Sequence, residues 1–449
     1  MENKHGEGTF PRGVHPREGK EYSEHRGIEV LPAPKELRIP LVQHLGAPCQ
    51  AVVKLRENVV AEQVLGTSEA FVSAPVFAPL GGTVQRLGMA TLPNGRHVPT
   101  VILKVQEDAA YSENLFARFQ SQPEGNLEGW DAKTILEKIR QAGLVGQGGA
   151  AFPTHVKLAR NEQKPVDTLL VNGCECEPYL TADDRTMLEM SGNVVAGARL
   201  AARAVGASRV VLCIEKNKPE AIQAMRKCLE KEAGMGVMTM PTKYPQGGEK
   251  QLILAALGRK VPLGGLPMDV GAAVVNVGTC VSIAMAVLHD LPLTHRVVTV
   301  TGGGVERPGN FFVPIGTSIQ TLIEHCGGLK ESARRVIAGG PMMGFALGSL
   351  DIPVTKGTSG ITVLTEEELR TPTTTHCIRC GHCVNVCPMN LVPTRLAMTS
   401  RAKQWSLFEK YHPMACVECG CCSFTCPAGV PIVQLIRIGK VELQRLKKK

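Results

Sequence analysis

The chain has 449 residues, a formal charge of +9 and an ordinary globular balance of 43% hydrophobic and 20% charged residues. Such a length exceeds one domain, and the composition excludes global disorder. Aromatic residues, 4% of the chain, are not interleaved with the basic ones as in single-strand nucleic-acid platforms, so no nucleic-acid partner is expected. Residues 1–20 are polar and charged without a secretory pattern, which leads us to expect a cytoplasmic start.

Taken in order, residues 10–16 (Phe10, Pro11, Arg12, Gly13, Val14, His15, Pro16) set one histidine beside a proline, more fitting for a turn than for a ligand. Between residues 40 and 87, short apolar runs at 41–43, 51–55, 64–65, 73–76 and 84–87 alternate with turns at Glu57-Asn58 and Gly81-Gly82 and predict a small β domain. From Trp130 the period changes: a helix over 131–142, a strand over 168–172, a helix over 184–205 and a strand over 209–215 predict a mostly parallel sheet covered by helices. Ligands of such sheets sit at the carboxyl ends of the strands.

Four motifs fall in that region. Gly146, Gly148 and Gly149 let a backbone approach a phosphate, with Lys157 adding charge, although the loop lacks the strand-first setting of a dinucleotide fingerprint. Asn172, Glu175 and Glu177, with Asp183 and Asp184 behind them, place acids at the end of a buried strand. They need a task there, and the hydroxyls or carboxamide of a dinucleotide supply one. Tyr244 and Glu249, then Asn276 and Thr279, complete the series. Residues 271–288 carry no charge and are long enough to be weighed as a membrane span. Asn276, Gly278, Thr279 and Ser282 interrupt them, so a buried strand, a loop and a helix are expected. The glycine-rich stretches at 297–317 and 339–344 read as hairpin turns.

Eight of the 16 cysteines stand at fixed spacing in two runs, Cys377, Cys380, Cys383, Cys387-Pro388 and Cys416, Cys419, Cys422, Cys426-Pro427. Both fit C-x₂-C-x₂-C-x₃-C-P, the spacing of paired [4Fe–4S] clusters in which the fourth cysteine serves the other cluster. Cys377, Cys380, Cys383 and Cys426 are therefore assigned to one cluster, and Cys416, Cys419, Cys422 and Cys387 to the other. Zinc would need neither the prolines nor the third spaced thiol. Cys421 reads as a packed small residue. At the end, Arg437, Lys440, Arg445 and Lys447–Lys449 face one acid, Glu442, and read as a solvated tail, with docking to an acidic partner or anionic lipid as the sharper alternative.

The order of these motifs resembles the flavin subunit of respiratory complex I, and the whole chain resembles the RnfC family of the Rnf electron-transport complex. The resemblance implies a multidomain α/β and α+β architecture. Its parts are a lipoyl-like barrel-sandwich domain (1–125), a Rossmann-like FMN/NAD domain (126–292), an SLBB β-grasp module (293–366) and a ferredoxin-like helical 2[4Fe–4S] domain (367–449). The barrel tip at 67–72 offers no lysine, so a docking module is expected rather than a swinging-arm carrier. By the same resemblance Gly146, Gly148, Gly149, Lys157, Asn172, Asn276 and Thr279 contact FMN, Tyr244 belongs to the cofactor site, and Glu175, Glu177 and Glu249 approach the nicotinamide of NAD(H). The complex I pattern carries acids where this chain has Cys174 and Gly248.

The implied function is electron input to an ion-translocating NADH:ferredoxin oxidoreductase. The chain would lie at the cytoplasmic face of the cell membrane, attached through the other Rnf subunits: the membrane components RnfA, RnfD, RnfE and RnfG and the iron–sulfur component RnfB, with ferredoxin reached indirectly. The rivals are a soluble flavin/iron–sulfur reductase, cobalamin-reductase-like or proline-reductase-associated, and a wiring scaffold without a nucleotide site. In the cobalamin-reductase relatives the flavin domain is expected first, whereas here the barrel leads.

Overall fold

The computed structural model describes residues 8–106, 110–123, 127–369 and 372–447. The alternation after Trp130 builds a four-stranded sheet in the order Met235–Met240, Arg209–Glu215, Thr168–Gly173, Ala272–Asn276, with every neighbouring pair parallel. Side chains alternate along each strand, so both faces are buried. Leu169, Val171, Leu212 and Val275 meet the helices Ala132–Gln141, Ser191–Val205 and Val277–His289, while Leu170, Val211 and Val274 meet the helix Glu249–Leu257. Asp131 opens the first helix by accepting from the N–H groups of Lys133 (2.9 Å) and Thr134 (3.0 Å), as an acid before an amphipathic run should.

Two expectations are corrected here. The helix read over 184–205 is two, Ala182–Glu189 and Ser191–Val205, broken at Met190, whose φ of −131° is not helical. The first is fixed by the Glu175 carboxylate at its N-terminus, the second by close packing of Gly197 on the helix Val277–His289, and one straight axis does not serve both. Nor does a loop follow the strand Ala272–Asn276. Asn276 ends it and caps the next helix directly, its side chain accepting from Gly278 N–H at 2.9 Å. Among the described residues no helix is long and apolar enough to cross a membrane.

The β unit reaches further than residues 40–87. Its longest strand, Gly82–Thr91, pairs with His97–Val105, which in turn pairs with Glu36–Pro40. Pro99 weakens the strand signal of that partner, and residues 41–43 lie just past a strand rather than in one. A second small sheet, Gln50–Ala51, Val64–Thr67 and Val76–Phe77, closes over a shared core of Leu37, Leu65, Val76 and Leu103. In the third unit the hairpin His295–Thr301 and Gly309–Pro314 accounts for the glycine-rich turn at 302–304. Its sheet continues through Gly360–Thr365 to Ala333–Ala338, and it recruits Ile28–Val30 from the other end of the chain, parallel to Gly309–Pro314.

Residues 8–20 run between units. Gly8 N–H bonds Ala255 O (3.2 Å), Val14 pairs with Tyr244, and Gly13 N–H bonds Val386 O (3.1 Å) beside the first cysteine run. His15 is exposed, in keeping with a turn residue.

Candidate functional site

The sheet order reverses between Thr168–Gly173 and Ala272–Asn276, and a crevice outside the carboxyl ends at such a switch point is where α/β sheets bind ligands. Asn172 and Asn276 stand at those two ends. Asn276 donates to Asp183 Oδ2 at 2.7 Å, and Asn172 donates to Gly247 O at 2.9 Å. Asn172 Oδ1 also accepts from Cys174 N–H (3.2 Å) as Asn276 Oδ1 does from Gly278, so each amide keeps one N–H and one lone pair. Above them lies the glycine loop. A Cβ on Gly149 (φ +102°) would point into open space, and one on Gly148 would sit 3.5 Å from Asn276, so the backbone forms a shallow cradle. Gln147 staples it: its N–H bonds Thr279 Oγ1 (3.0 Å) and its side chain bonds Gly278 O (3.2 Å) and Ser282 Oγ (2.5 Å). Lys157 bonds Glu249 Oε1 (2.5 Å) and Val274 O (2.9 Å) at the rim.

The barrel buttresses this loop from behind. Leu45 N–H bonds Ala151 O (3.1 Å), and the tip at 67–72 meets the helix Thr154–Leu158 through Phe71 O and His155 Nε2 (3.0 Å). Lys356, fully buried, donates to Pro75 O (2.6 Å) and Gly143 O (2.7 Å), joining three units, and burial lowers its pKa to about 7.

Two of the acids expected at the nicotinamide have other work. Glu175 accepts from the N–H groups of Asp183 (2.7 Å) and Asp184 (3.3 Å), holding the start of the helix Ala182–Glu189. Glu177 turns toward the third unit, where Met343 N–H (2.8 Å) and Met342 N–H (3.2 Å) donate to its two oxygens. Desolvated acids do need partners, and here the protein itself provides them. Lys20 Nζ, also buried, donates to the carbonyls of Glu175 (3.0 Å) and Glu177 (3.3 Å), and Lys218 Nζ to that of Cys174 (2.7 Å). Glu249 remains at the rim with Lys157. Tyr244 is likewise not in the crevice: its hydroxyl donates to Cys419 O at 2.7 Å.

Burial pushes the Glu177 carboxyl up to about 7 from 4.5, the two methionine N–H groups opposing the rise. A carboxyl whose folded pKa is raised keeps its proton longer in the native state, so stability is lost as pH climbs from about 4.5 through about 7, by an amount on the order of 3 kcal/mol. Glu177→Gln is expected to flatten that part of the profile. Anaerobic thermal melts between acid and neutral pH check it, and an unchanged slope would count against the assignment.

The two cysteine runs fold alike. Arg379 and Glu418, each one residue before the second cysteine, take φ of 59° and 58°. Gly381 and Gly420 follow at 80° and 83°, and Asn390 and Gly429 repeat the match at 55° and 58°. These left-handed residues curl each loop around its thiols. Cys387 lines one cavity with Cys416, Cys419 and Cys422, across the two runs. The thiol of Cys383, raised first by burial, is raised further by Cys377, Cys380 and Cys426. Cys387 thus lies with thiols of the second run and Cys426 near those of the first, an arrangement that suits a pair of cubane clusters. Cys377 and Cys380 are exposed, whereas the Cys419 pocket abuts the α/β unit through Tyr244 and the third unit through Gly420, whose Cβ would meet Met342 O at 2.5 Å.

Cys421 is fully buried and packs beside Cys419, as a small apolar residue would. In the helix Ile432–Lys447 the solvated-tail reading holds for Arg445 and Lys447, which are exposed, and is corrected for Arg437 and Lys440. Arg437 (2.9 Å) and Lys440 both close on Glu418, Arg445 pairs with Glu442 (3.0 Å) and Lys447 with Glu409 (2.5 Å). Lys448 and Lys449 lie outside the described residues. Sequence reasoning missed Gln147, Lys20, Lys218 and Lys356, since nothing in their neighbours along the chain marks them.

Residues 139–285 match the Nuo51 FMN-binding domain family and residues 376–430 the 4Fe-4S dicluster domain. Residues 8–108 match the RnfC barrel sandwich hybrid domain and 297–346 the SLBB domain. Fold and site together define a flavin and iron–sulfur electron-transfer protein with FMN and two [4Fe–4S] clusters as its cofactors. Across nearly its full length the chain is 44% identical to the C subunit of the proton-translocating ferredoxin:NAD(+) oxidoreductase complex of Clostridium ljungdahlii (97% of this chain, 94% of the relative). It is 41% identical to the Na(+)-translocating counterpart of Acetobacterium woodii (99% and 98%) and 37% to that of the ion-translocating oxidoreductase complex of Rhodobacter capsulatus (96% and 82%). The chain belongs to this family, the RnfC proteins of the ion-translocating ferredoxin:NAD(+) oxidoreductase complexes. In the solved NAD+-reducing [NiFe]-hydrogenase (H2-reduced state) the fold recurs with a TM-score of 0.50 at 22% identity, over 74% of this chain and 66% of that one.

Proposed function

We propose that this chain is the electron-input subunit of an ion-translocating ferredoxin:NAD(+) oxidoreductase, passing electrons between NAD(H), FMN and two [4Fe–4S] clusters, toward or from ferredoxin. The observation that carries this reading is the abutment of the switch-point crevice on the Cys419 thiol pocket, bridged by Tyr244. A nicotinamide gives up two electrons as hydride and a cluster takes one, and FMN supplies the conversion when bound. No general acid or base is required of the chain.

In this reading Gly148 and Gly149 present backbone to the flavin phosphate, with Gly146 closing the loop behind them through its N–H bond to Phe152 O (2.8 Å), Lys157 supplies charge, and Asn172, Asn276 and Thr279 brace the ring side. Glu249 meets the nicotinamide end. Cys416, Cys419, Cys422 and Cys387 hold the cluster nearer the flavin, and Cys377, Cys380, Cys383 and Cys426 the exposed one. That exposed cluster serves as the exit to the partners RnfA, RnfB, RnfD, RnfE and RnfG at the cytoplasmic face of the membrane. The leading barrel favours this reading over a soluble cobalamin-reductase-like enzyme.

Anaerobic addition of NADH to the reconstituted protein tests it. The flavin should bleach and cluster EPR signals should appear, and a protein whose flavin stays oxidised sinks the proposal. Lys157→Met is expected to weaken FMN binding about 30-fold, the worth of one charge-assisted hydrogen bond of ~2 kcal/mol. Quenching of flavin fluorescence on titration into flavin-free protein measures it.

A further inference from the structure

Tyr244 is 1% exposed and sits where three parts of the chain meet. Its ring packs with Val14 from the N-terminal segment, Cys419 and Cys421 from the second cysteine run, and Cys176 and Met342. Its hydroxyl donates to Cys419 O at 2.7 Å and faces the Glu177 carboxylate. Three residues further along the same loop, Gly247 O accepts from Asn172 Nδ2 (2.9 Å) and Gly247 N–H bonds Cys176 Sγ (3.3 Å). A continuous bonded path therefore leads from Asn172, at the switch-point crevice, through residues 247–244 to the backbone of a cluster ligand, with one side-chain hydrogen bond at each end.

A buried phenol is a costly choice if packing were its whole purpose, since phenylalanine would fill the same space with no hydroxyl to satisfy. The hydroxyl instead fixes how far, and at what angle, the loop 244–249 stands from the Cys419 loop. We propose that Tyr244 is a positioning residue for electron transfer, its hydroxyl locking the flavin-side loop onto the cluster loop of Cys416, Cys419 and Cys422. It touches neither the hydride nor the iron. With FMN and both clusters bound, the flavin would supply the conversion of a hydride's electron pair into single electrons, one for each cluster, its proton going to solvent. The lock acts on the first of these transfers.

The inference rests on the flavin-to-cluster reading above. Anaerobic rapid mixing with NADH, followed by flavin absorbance and by freeze-quench EPR of the clusters, separates the two steps in wild type and in Tyr244→Phe. The ratio of cluster reduction rate to flavin reduction rate should fall about tenfold in the variant, as expected when a reacting pair is held less tightly. Iron content and the midpoint potentials of both clusters should be retained. Met342→Ala trims the same apolar cluster without touching the hydroxyl and should leave the ratio unchanged. An unchanged ratio in Tyr244→Phe, a slowing explained by a shifted potential, an equal slowing in Met342→Ala, or loss of iron in Tyr244→Phe each overturns the proposal. If the wild-type flavin is not reduced at all, the functional reading fails first, and that outcome is distinct from these.

Discussion

Cys426→Ala is expected to abolish the cluster of Cys377, Cys380 and Cys383 and to spare the one in the Cys419 pocket, although Cys426 belongs to the second run. The reason is geometric. Cys383 has Cys426 among its thiol neighbours, while Cys387, the fourth cysteine of the first run, lines the cavity of Cys416, Cys419 and Cys422. A cubane short of one thiolate loses a corner ligand, and the exposed position of Cys377 and Cys380 leaves little else to retain it. Iron analysis should show about half the wild-type content. EPR of the reduced protein should keep the signal of the pocket cluster, and Cys387→Ala should give the opposite pattern. Survival of the Cys377 cluster in Cys426→Ala would mean that each run serves its own cluster.

The second large effect is on the fold. Gly197 lies on the helix Ser191–Val205 where it crosses Val277–His289, and a Cβ there would stand 1.7 Å from Cys280 O. Backbone cannot give way as a flexible side chain can, so the helices must part. Gly197→Ala should cost about 3 kcal/mol, at the upper end for overpacking. Because the second helix begins at Asn276, the shift should reach the crevice and weaken FMN binding as well. Gly236→Ala, where a Cβ meets nothing within 4 Å, is the control and should leave the thermal midpoint close to wild type. Equal melting of the two variants would refute the crossing argument.

What could be read from the residues alone divides along a physical line. The two cysteine runs are legible because thiols that wrap one cubane must be close in the chain, and Cys377 to Cys383 encode that locally. The parallel sheet was legible for a similar reason, since Leu169 to Val171 and Val210 to Ile214 carry their burial in their own pattern. Glu175, Glu177 and Tyr244 were not, because an acid or phenol takes its role from whatever packs against it. Met342, Met343 and Cys419 arrive from more than a hundred residues away. The same holds for Ile28–Val30, too short to read as a strand until Gly309–Pro314 lies beside it. By contrast, Met190 breaks a helix just before Ser191-Gly192, a turn signal carried in the local sequence itself.

The seam made by residues 8–30 also sets a timetable. These residues leave the ribosome before Tyr244, Phe312 and Val386, which seat them. Such long-range pairing is slow to form. Full seating of residues 8–30 therefore follows translation of the first cysteine run, where Val386 lies.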